Sequence, residues 1–282
     1  MHTDFIRNNN LAGRLMSNTS LVSTKVRYIN SEWKGRDEAP RIGSKESRRE
    51  NTAYQNINVH DARPRIIKDE IGLEKTGFTL VENVSSCINF RDEKVINEIY
   101  LPEMRNLICQ VTGASVAYHY GFLVRTETPV DFNDGYARFV HCDYNVERIE
   151  SMSHDVLRNN GVEPKKGESY AWFNTWQPFD NPAINNPLAF IDAGTLPRED
   201  VIDYYYTGRN RDSLVAAPVY NPDHRWCYFP EMTTDEVIIL KQMDQRPDRV
   251  VYCPHTSFDN PAAKEGTPPR RSIETRVLAV FK

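Results

Sequence analysis

From residue 114 onward, short segments rich in β-branched and aromatic residues are separated by turn-forming residues. Seven of them read ASVAYHYGFLVR, YARFVHCDYNV, ESYAWFNTWQPF, PLAFIDAGTL, HRWCYFP, DRVVYCPHTSF and RRSIETRVLAVF. Runs of this length and composition are typical of strands. Because many strands follow one another with few helices and no regular strand–helix alternation, the pattern favours a β-sandwich or small barrel with helices packed outside.

Three segments have helical signals. In DEKVINEIYLPEMRNLICQVTGA, apolar residues recur at helical intervals; Pro102 is expected to break or kink this helix and Gly113 to end it. A second helix is predicted in SMSHDVLRNNG. A third is predicted over residues 233–243, because Thr233 and Glu236 have the spacing of a capping box.

The first 65 of the 282 residues differ from the rest. They are polar and irregular, and the stretch KGRDEAPRIGSKESRRENT is charge-rich and poor in apolar residues. We therefore predict an extended or partly disordered N-terminal arm over 1–65 and one β domain over 66–282. The arm is expected either to cover the mouth of a pocket or to pack on a second subunit in a homodimer.

Composition excludes several classes of function. The net charge is −4 and the basic residues are scattered, which argues against a nucleic-acid partner. No apolar run approaches the length that spans a bilayer, and the N-terminus lacks the apolar core of a signal peptide. Five cysteines without a CxxC spacing indicate reduced thiols and a cytoplasmic protein.

The segment RFVHCDYNV contains a candidate metal motif. On a strand, His141 and Asp143 would share one face, and two histidines with one carboxylate bind iron in sites that keep coordination positions open. A buried polar pair also explains these two residues. His255, at the end of a predicted strand, is the favoured third ligand. The other histidines, in the arm, on a predicted surface helix or in less suggestive settings, are His2, His60, His119, His154 and His224.

The last predicted strand carries an Arg-x-Ser pair. Arg270 and Ser272 would lie on one face, 15 residues after His255, and a guanidinium with a neighbouring hydroxyl can hold a carboxylate. On the same face, Glu274 and Arg276 are also explained as a surface ion pair of little energetic consequence.

Three motifs together resemble the iron ligands and co-substrate anchor of the iron(II)/2-oxoglutarate-dependent oxygenases. They are HCD, CPHTSF and the C-terminal R-x-S. Within these oxygenases, the chain resembles the fungal and bacterial hydroxylases and desaturases that include the cephalosporin 7α-methoxylation component and the gibberellin desaturase. Further supporting stretches are GFTLVENV, YLPEMRNLICQVTGAS, NTWQPFDNPAINNPLAFIDA, HRWCYFPEMTTDEVIILKQMD, PHTSFDNP and PPRRSIETRVLAVF, over about residues 77–282.

The resemblance implies a mainly β fold with a double-stranded β-helix (jelly-roll) core and flanking helices. It implies that His141, Asp143 and His255 bind Fe(II), and that Arg270 with Ser272 holds 2-oxoglutarate, with Arg276 as the alternative anchor. The resemblance also implies pocket-lining residues, namely Asn174, Trp176, Arg225 and Tyr228. Ordinary core packing explains these four equally well. One departure is Gln177, where the family leads us to expect an arginine.

The implied activity is oxidation of a small specialised metabolite by O2, with succinate and CO2 as co-products. Hydroxylation, desaturation and cyclisation all remain open. Two rival functions are a metal-dependent hydrolase, which would not need Arg270 and Ser272, and a non-catalytic barrel-type binding protein whose polar cluster only supports the core.

Overall fold

The computed structural model describes residues 21–128, 133–208 and 212–282. The described strands are β1 (Leu21–Ile29), β2 (Arg41–Ile42), β3 (Thr52–Asp61), β4 (Phe78–Glu82), β5 (Val116–Arg125), β6 (Asn133–Asp134), β7 (Ser169–Pro178), β8 (Leu188–Ile191), β9 (Val201–Tyr206), β10 (Ser213–Pro218), β11 (Trp226–Tyr228), β12 (Glu236–Asp244), β13 (His255–Ser257) and β14 (Ser272–Phe281). The α-helices are α1 (Lys45–Asn51), α2 (Arg63–Ile67), α3 (Glu93–Val95), α4 (Leu101–Thr112) and α5 (Ile149–Asn159). The prediction of a mainly β chain is confirmed.

The largest sheet has six strands in the order β4-β12-β7-β14-β5-β6. One of its faces packs against helix α4 through residues such as Met104 and Ile239. Its other face, which includes Trp176 and Leu240, packs against Phe190 of a second sheet. Strand β7 is therefore buried on both faces, so its polar residues Asn174, Thr175 and Gln177 are buried together with its aromatic ones.

The second sheet has five strands in the order β1-β3-β11-β8-β13, and a third has the order β10-β9-β2. In the five-stranded sheet, His255 aligns with Phe190, and Phe190 aligns with Cys227. Residues that align across neighbouring strands point to the same face, so His255 is directed towards the interior between the two larger sheets. This register fixes where the candidate metal ligand lies.

The helix predicted over DEKVINEIYLPEMRNLICQVTGA is confirmed, with a change of geometry inside it. Helix α3 continues through a π-helical turn at Ile96–Tyr100 into α4, and Pro102 lies in the first turn of α4. Because the helix is continuous here, Pro102 cannot supply a main-chain N–H to the preceding turn, and the π-helical turn lies just before it. Gly113 ends the helix with a φ of 73°, in the left-handed region, and its N–H donates to the carbonyl of Cys109.

The helix predicted over residues 233–243 is wrong, because Glu236–Asp244 forms strand β12. The contact that suggested a cap does exist: the main-chain N–H of Thr233 donates to the Glu236 carboxylate at 2.9 Å. It stabilises a turn before a strand and not the start of a helix. When a segment is buried on both faces, its apolar residues follow neither the helical nor the strand period. The sequence pattern therefore cannot distinguish a helix from a strand here.

The prediction of an irregular arm over 1–65 needs correction for its described part. Strands β1 and β3 pair with each other over nine residues, and β3 pairs with β11, so this segment belongs to the five-stranded sheet. Apolar side chains such as Val26 and Val59 anchor it in the core, although most of its residues are polar. Residues 1–20 lie outside the described residues. The role of the segment as a pocket cover or subunit contact stays a prediction.

The segment 136–146, predicted as a strand, is described as isolated bridges. Phe139 bridges to Arg27, His141 to His255 and Cys142 to Ala216, after which the chain enters a 3-10 turn at Val146–Arg148. A segment that contacts three different strands cannot form a regular ladder with one of them. No helix in the described part of the chain is long and apolar enough to cross a bilayer.

Helix α2 is joined to the start of β12 by a buried ion pair. The Arg63 guanidinium donates to both carboxylate oxygens of Glu236, at 2.6 and 2.8 Å, and both side chains are at most 7% exposed. The pair connects the N-terminal segment to the six-stranded sheet across the core.

We predict that Arg63→Ala lowers the free energy of unfolding by about 3–5 kcal/mol, because Glu236 loses its charged partner in a buried site. Urea unfolding followed by circular dichroism measures this loss. The control Lys94→Ala removes an exposed pair with Glu98, and we expect a change below about 0.5 kcal/mol. Equal effects of the two substitutions would contradict the importance of the buried pair.

Candidate metal centre

His141 and His255 face each other across an isolated antiparallel bridge. The N–H of His141 donates to the carbonyl of His255 at 3.2 Å, and the N–H of His255 donates back at 3.0 Å. The two ring centroids lie 4.7 Å apart. Main-chain hydrogen bonds therefore hold together two side chains that are 114 residues apart in the sequence.

Each ring has one nitrogen held by the main chain. Nδ1 of His141 lies 2.7 Å from the carbonyl of Phe139, and Nδ1 of His255 lies 3.0 Å from the carbonyl of Cys253. A carbonyl oxygen can only accept, so each Nδ1 carries the proton and each Nε2 presents a lone pair. This is the arrangement that orients histidines as metal ligands.

The carboxylate of Asp143 completes the cluster. Its oxygens lie 3.7 Å from Nε2 of His141 and 3.6 Å from Nε2 of His255. Ligand atoms from the three residues all lie within 4.8 Å of one another, and no other group of this kind occurs among the described residues. The donor set of two imidazoles and one carboxylate fits a divalent transition metal with open positions.

Two residues on neighbouring strands orient Asp143. Arg276 donates to its Oδ1 at 2.8 Å, and the amide of Asn174 donates to its Oδ2. Asn174 and Arg276 are aligned partners on β7 and β14, so their side chains leave the same face of the sheet. Sheet register thus brings both donors to one carboxylate.

The electrostatics keep His141 and Asp143 in metal-binding form. Burial, reinforced by the charge of His255, lowers the pKa of His141 to about 4, so this ring is neutral at pH 7. Burial alone would raise the pKa of Asp143, but the charge of Arg276, with smaller contributions from the neighbouring histidines and the Asn174 hydrogen bond, outweighs it and holds that pKa below its usual range. The carboxylate is therefore ionised.

Arg270 lies in an unusual environment for a charged side chain. It is 1% exposed, and among the described residues the guanidinium donates only to the carbonyl of Asn186, at 2.9 Å. Its Nε and the hydroxyl of Ser272 are both buried without a hydrogen-bond partner. Burial, followed by the charge of Arg125, lowers the pKa of Arg270 to about 9. A buried cation beside an unpaired hydroxyl fits an anionic ligand.

Two aromatic rings enclose this cation. The guanidinium lies 4.3 Å from the ring centroid of Tyr136 and 5.5 Å from that of Trp176. The hydroxyl of Tyr136 also donates to the carbonyl of Arg270 at 2.6 Å. Tyr136 was absent from the predicted site residues, and its only sequence signal is its closeness to the HCD motif.

The structure does not bring Arg225 or Tyr228 to the cluster. The Arg225 guanidinium is half exposed and lies 4.0 Å from Asp192. Tyr228 follows the interior-facing Cys227, so it points to the opposite face of its sheet, where it packs against Phe258. Gln177, the departure from the family pattern, accepts a hydrogen bond from buried Tyr100 and donates to main-chain carbonyls.

A cavity of about 490 Å³ opens in front of His141, Asp143 and Arg276. Its walls combine arginines with aromatic and aliphatic side chains, and Phe139 packs edge-on against Tyr204 with centroids 5.5 Å apart. Tyr204 is not among the predicted site residues, because the sequences of β9 and β10 carry no motif. Cavities of this size hold small organic molecules.

Comparison with known proteins agrees with this site. A family model described as Oxidoreductase/YMDC permease-like domain matches residues 26–281. The hydroxylase/desaturase efuI of Hormonema carpetanum is 31% identical, over 93% of this chain and 95% of its own. The alpha-ketoglutarate-dependent dioxygenase phiK, from a fungal species (strain ATCC 74256), is 31% identical, over 83% of this chain and 86% of its own.

A solved structure has a similar fold. The iron and alpha-ketoglutarate-dependent endoperoxidase NvfI superposes with a TM-score of 0.79 at 24% identity, covering 94% of this chain and 99% of that one. The described strands and helices therefore have the architecture of that protein.

We predict that His141→Ala and His255→Ala each reduce binding of Co(II) by at least about 100-fold, because each removes one of three ligand atoms. Anaerobic titration calorimetry measures the affinity, and circular dichroism checks the fold. His154→Ala, which removes a histidine from helix α5 outside the cluster, is the matched control and should bind Co(II) as the unmodified chain does. Unchanged affinity in the first two variants would rule out this cluster as the metal site.

Proposed function

The chain belongs to the fungal iron(II)/2-oxoglutarate-dependent hydroxylase/desaturase family, and on that premise we propose that it is an oxygenase acting on a small specialised metabolite. The observation that carries the proposal is the pairing of two sites. Asp143 of a His–Asp–His cluster accepts from Arg276 of β14, and the same strand is preceded by the buried Arg270, which has no acidic partner among the described residues. An iron enzyme that also binds a dicarboxylate needs both.

The fold we propose for the core is the double-stranded β-helix. Support comes from two sheets that face each other across a shared apolar cluster, with the candidate ligands at one end of it. Helix α4 packs on the outer face of the six-stranded sheet, and helix α5 packs on its other face beside the second sheet, against Trp172 and Leu278. A rigid double sheet suits a metal site, because its ligands must keep their geometry through the reaction.

His141, Asp143 and His255 would hold Fe(II), because main-chain carbonyls hold Nδ1 of both rings and leave each Nε2 directed at the cluster beside the ionised carboxylate. The chemistry that iron(II) with 2-oxoglutarate supplies when bound is oxidation of a substrate C–H bond by O2, with succinate and CO2 as co-products. Arg276 and Asn174 would keep the Asp143 carboxylate in one orientation, since each engages a different oxygen.

Arg270 and Ser272 would bind the distal carboxylate of 2-oxoglutarate. This assignment is supported by the unpaired Nε and hydroxyl, which a carboxylate satisfies by accepting from both. The rings of Tyr136 and Trp176 exclude water from the guanidinium, which strengthens its attraction for an anion. Arg276 is the weaker candidate for the anchor because its guanidinium already forms ion pairs with Asp143 and Glu274.

The two rival functions account for less of the site. A metal-dependent hydrolase needs the three ligands but leaves Arg270 and Ser272 without a purpose. A binding protein without catalysis leaves the free Nε2 atoms of both histidines unexplained. All five cysteines are free thiols, which suits the cytoplasmic location we propose. A homodimer, with residues 1–65 at its contact or over the cavity, stays part of the proposal.

The first test needs no substrate. Anaerobic chain with Fe(II) and 2-oxoglutarate should develop the weak visible charge-transfer band of a chelated keto acid, and admitted O2 should then yield succinate slowly. Absorption spectroscopy and chromatography measure the two signals. The control is the chain loaded with Zn(II), which should give neither signal. Iron that binds without either signal would exclude the oxygenase.

The second test concerns the anchor. We predict that Arg270→Met weakens 2-oxoglutarate binding by on the order of 2–5 kcal/mol, a factor of about 30 or more, because a buried carboxylate loses its charged partner. Titration of the charge-transfer band measures the affinity. Arg276→Met is the matched variant on the same strand face and should weaken Fe(II) binding instead. The reverse pattern would move the anchor to Arg276.

A further inference from the structure

The cavity in front of the candidate metal centre is strongly cationic. Its lining includes five arginines and one acidic residue, Asp143, whereas the whole chain has a net charge of −4. The arginines are Arg48, Arg125, Arg138, Arg148 and Arg276. Chance distribution of the charges of an acidic chain does not account for this concentration.

Acidic side chains compensate only two of these five. Arg276 contacts Asp143 and Glu274, and Arg138 pairs with Asp259. The remaining three have no acidic partner within the described ranges. Arg125 donates to the carbonyl of Gly135 at 2.6 Å, and Arg48 and Arg148 are exposed side chains without an ion pair.

Cofactor binding would not cancel this charge. The inference rests on the proposed function, in which a divalent cation and a dianion occupy the centre and offset each other in formal charge. Their arrival leaves the excess positive charge at Arg48, Arg125 and Arg148 in place. A ligand that enters the same cavity therefore meets a positive potential, which attracts anions and raises their rate of association.

The positions of these arginines indicate how such a ligand lies. Arg48 is on helix α1 and Arg148 directly precedes helix α5, and both are exposed, whereas the Asp143 side chain is 5% exposed. The cations thus lie at the open end of the cavity and the metal ligands at its inner end. The lining of the cavity also includes apolar and aromatic side chains, among them Phe139, Tyr204 and Leu214.

We propose that the substrate is an organic anion whose acidic group binds at Arg48 and Arg148 while its apolar body extends along the aromatic wall towards the metal centre. Guanidinium groups bind carboxylates and phosphates through paired N–H donors, so either acidic group suits the site. Holding the anion at the open end leaves an apolar C–H bond, and not the charge, at the inner end.

The test uses three probes of one shape: 2-naphthoate, 2-naphthyl phosphate and neutral 2-naphthamide. Each is titrated calorimetrically into the full chain held anaerobically with Fe(II) and saturating 2-oxoglutarate, which occupies the Arg270 site. We expect at least one acid to bind tenfold or more tightly than the amide, and the preference to shrink as salt increases. The stronger of the two acids identifies the acidic group.

Substitutions locate the effect. The double variant R48Q/R148Q should lose the preference for the acid by about tenfold while its affinity for the amide stays the same. R49Q is the matched control, since Arg49 is exposed on the same helix and does not line the cavity. Equal or weaker binding of both acids relative to the amide overturns the proposal, as does a preference that survives in R48Q/R148Q.

The charge-transfer band is recorded in the same samples. The results therefore test the anion site and the oxygenase assignment independently of each other. A band without any preference for acids overturns the anion site and leaves the oxygenase standing. A preference that depends on Arg48 and Arg148 without a band overturns the iron and 2-oxoglutarate assignment and supports the anion site.

Discussion

The buried carboxylate of Asp143 is the group around which the interior is organised. A charge removed from water must be compensated by nearby donors, or the fold loses several kcal/mol. Here the compensation comes from Arg276 on β14, from Asn174 on β7 and from the two histidines. One ionised group thus ties the bridging segment that carries it to the six-stranded sheet and to β13 of the five-stranded sheet.

Strand β14 gives two arginine environments that differ in kind. Arg270 precedes the strand, and Ser272, Glu274 and Arg276 follow at intervals of two, so all four share a face. Arg276 forms ion pairs with the carboxylates of Asp143 and Glu274. Arg270 is buried, and among the described residues neither its Nε nor the Ser272 hydroxyl has a hydrogen-bond partner. A buried cation without a counter-charge is costly in a purely structural role, so the contrast supports the proposal that Arg276 positions Asp143 while Arg270 binds a ligand.

The division of charge continues outward through the cavity. Its inner end holds Asp143, engaged by Arg276, and its open end holds guanidinium groups without acidic partners in the described part of the chain. The lining of the cavity also includes apolar and aromatic side chains. Such an order suits a reaction at an unactivated carbon, because the ligand is oriented by its charged group while its reactive carbon stays in a water-poor region.

By itself, the sequence determined which residues to expect in the candidate metal cluster and the mainly β class of the fold. Two-residue spacing on an extended chain was enough to pair His141 with Asp143, and Arg270 with Ser272, and the dense β-branched and aromatic segments were enough to predict a mainly β chain. Both results depend on local geometry, which a few consecutive residues specify. Only the tertiary structure decided that β12 is a strand, that residues 21–65 join a sheet, and that Arg225 and Tyr228 lie away from the cluster. Those outcomes depend on which strands pair and in what register, and register is set by contacts between residues far apart in the sequence.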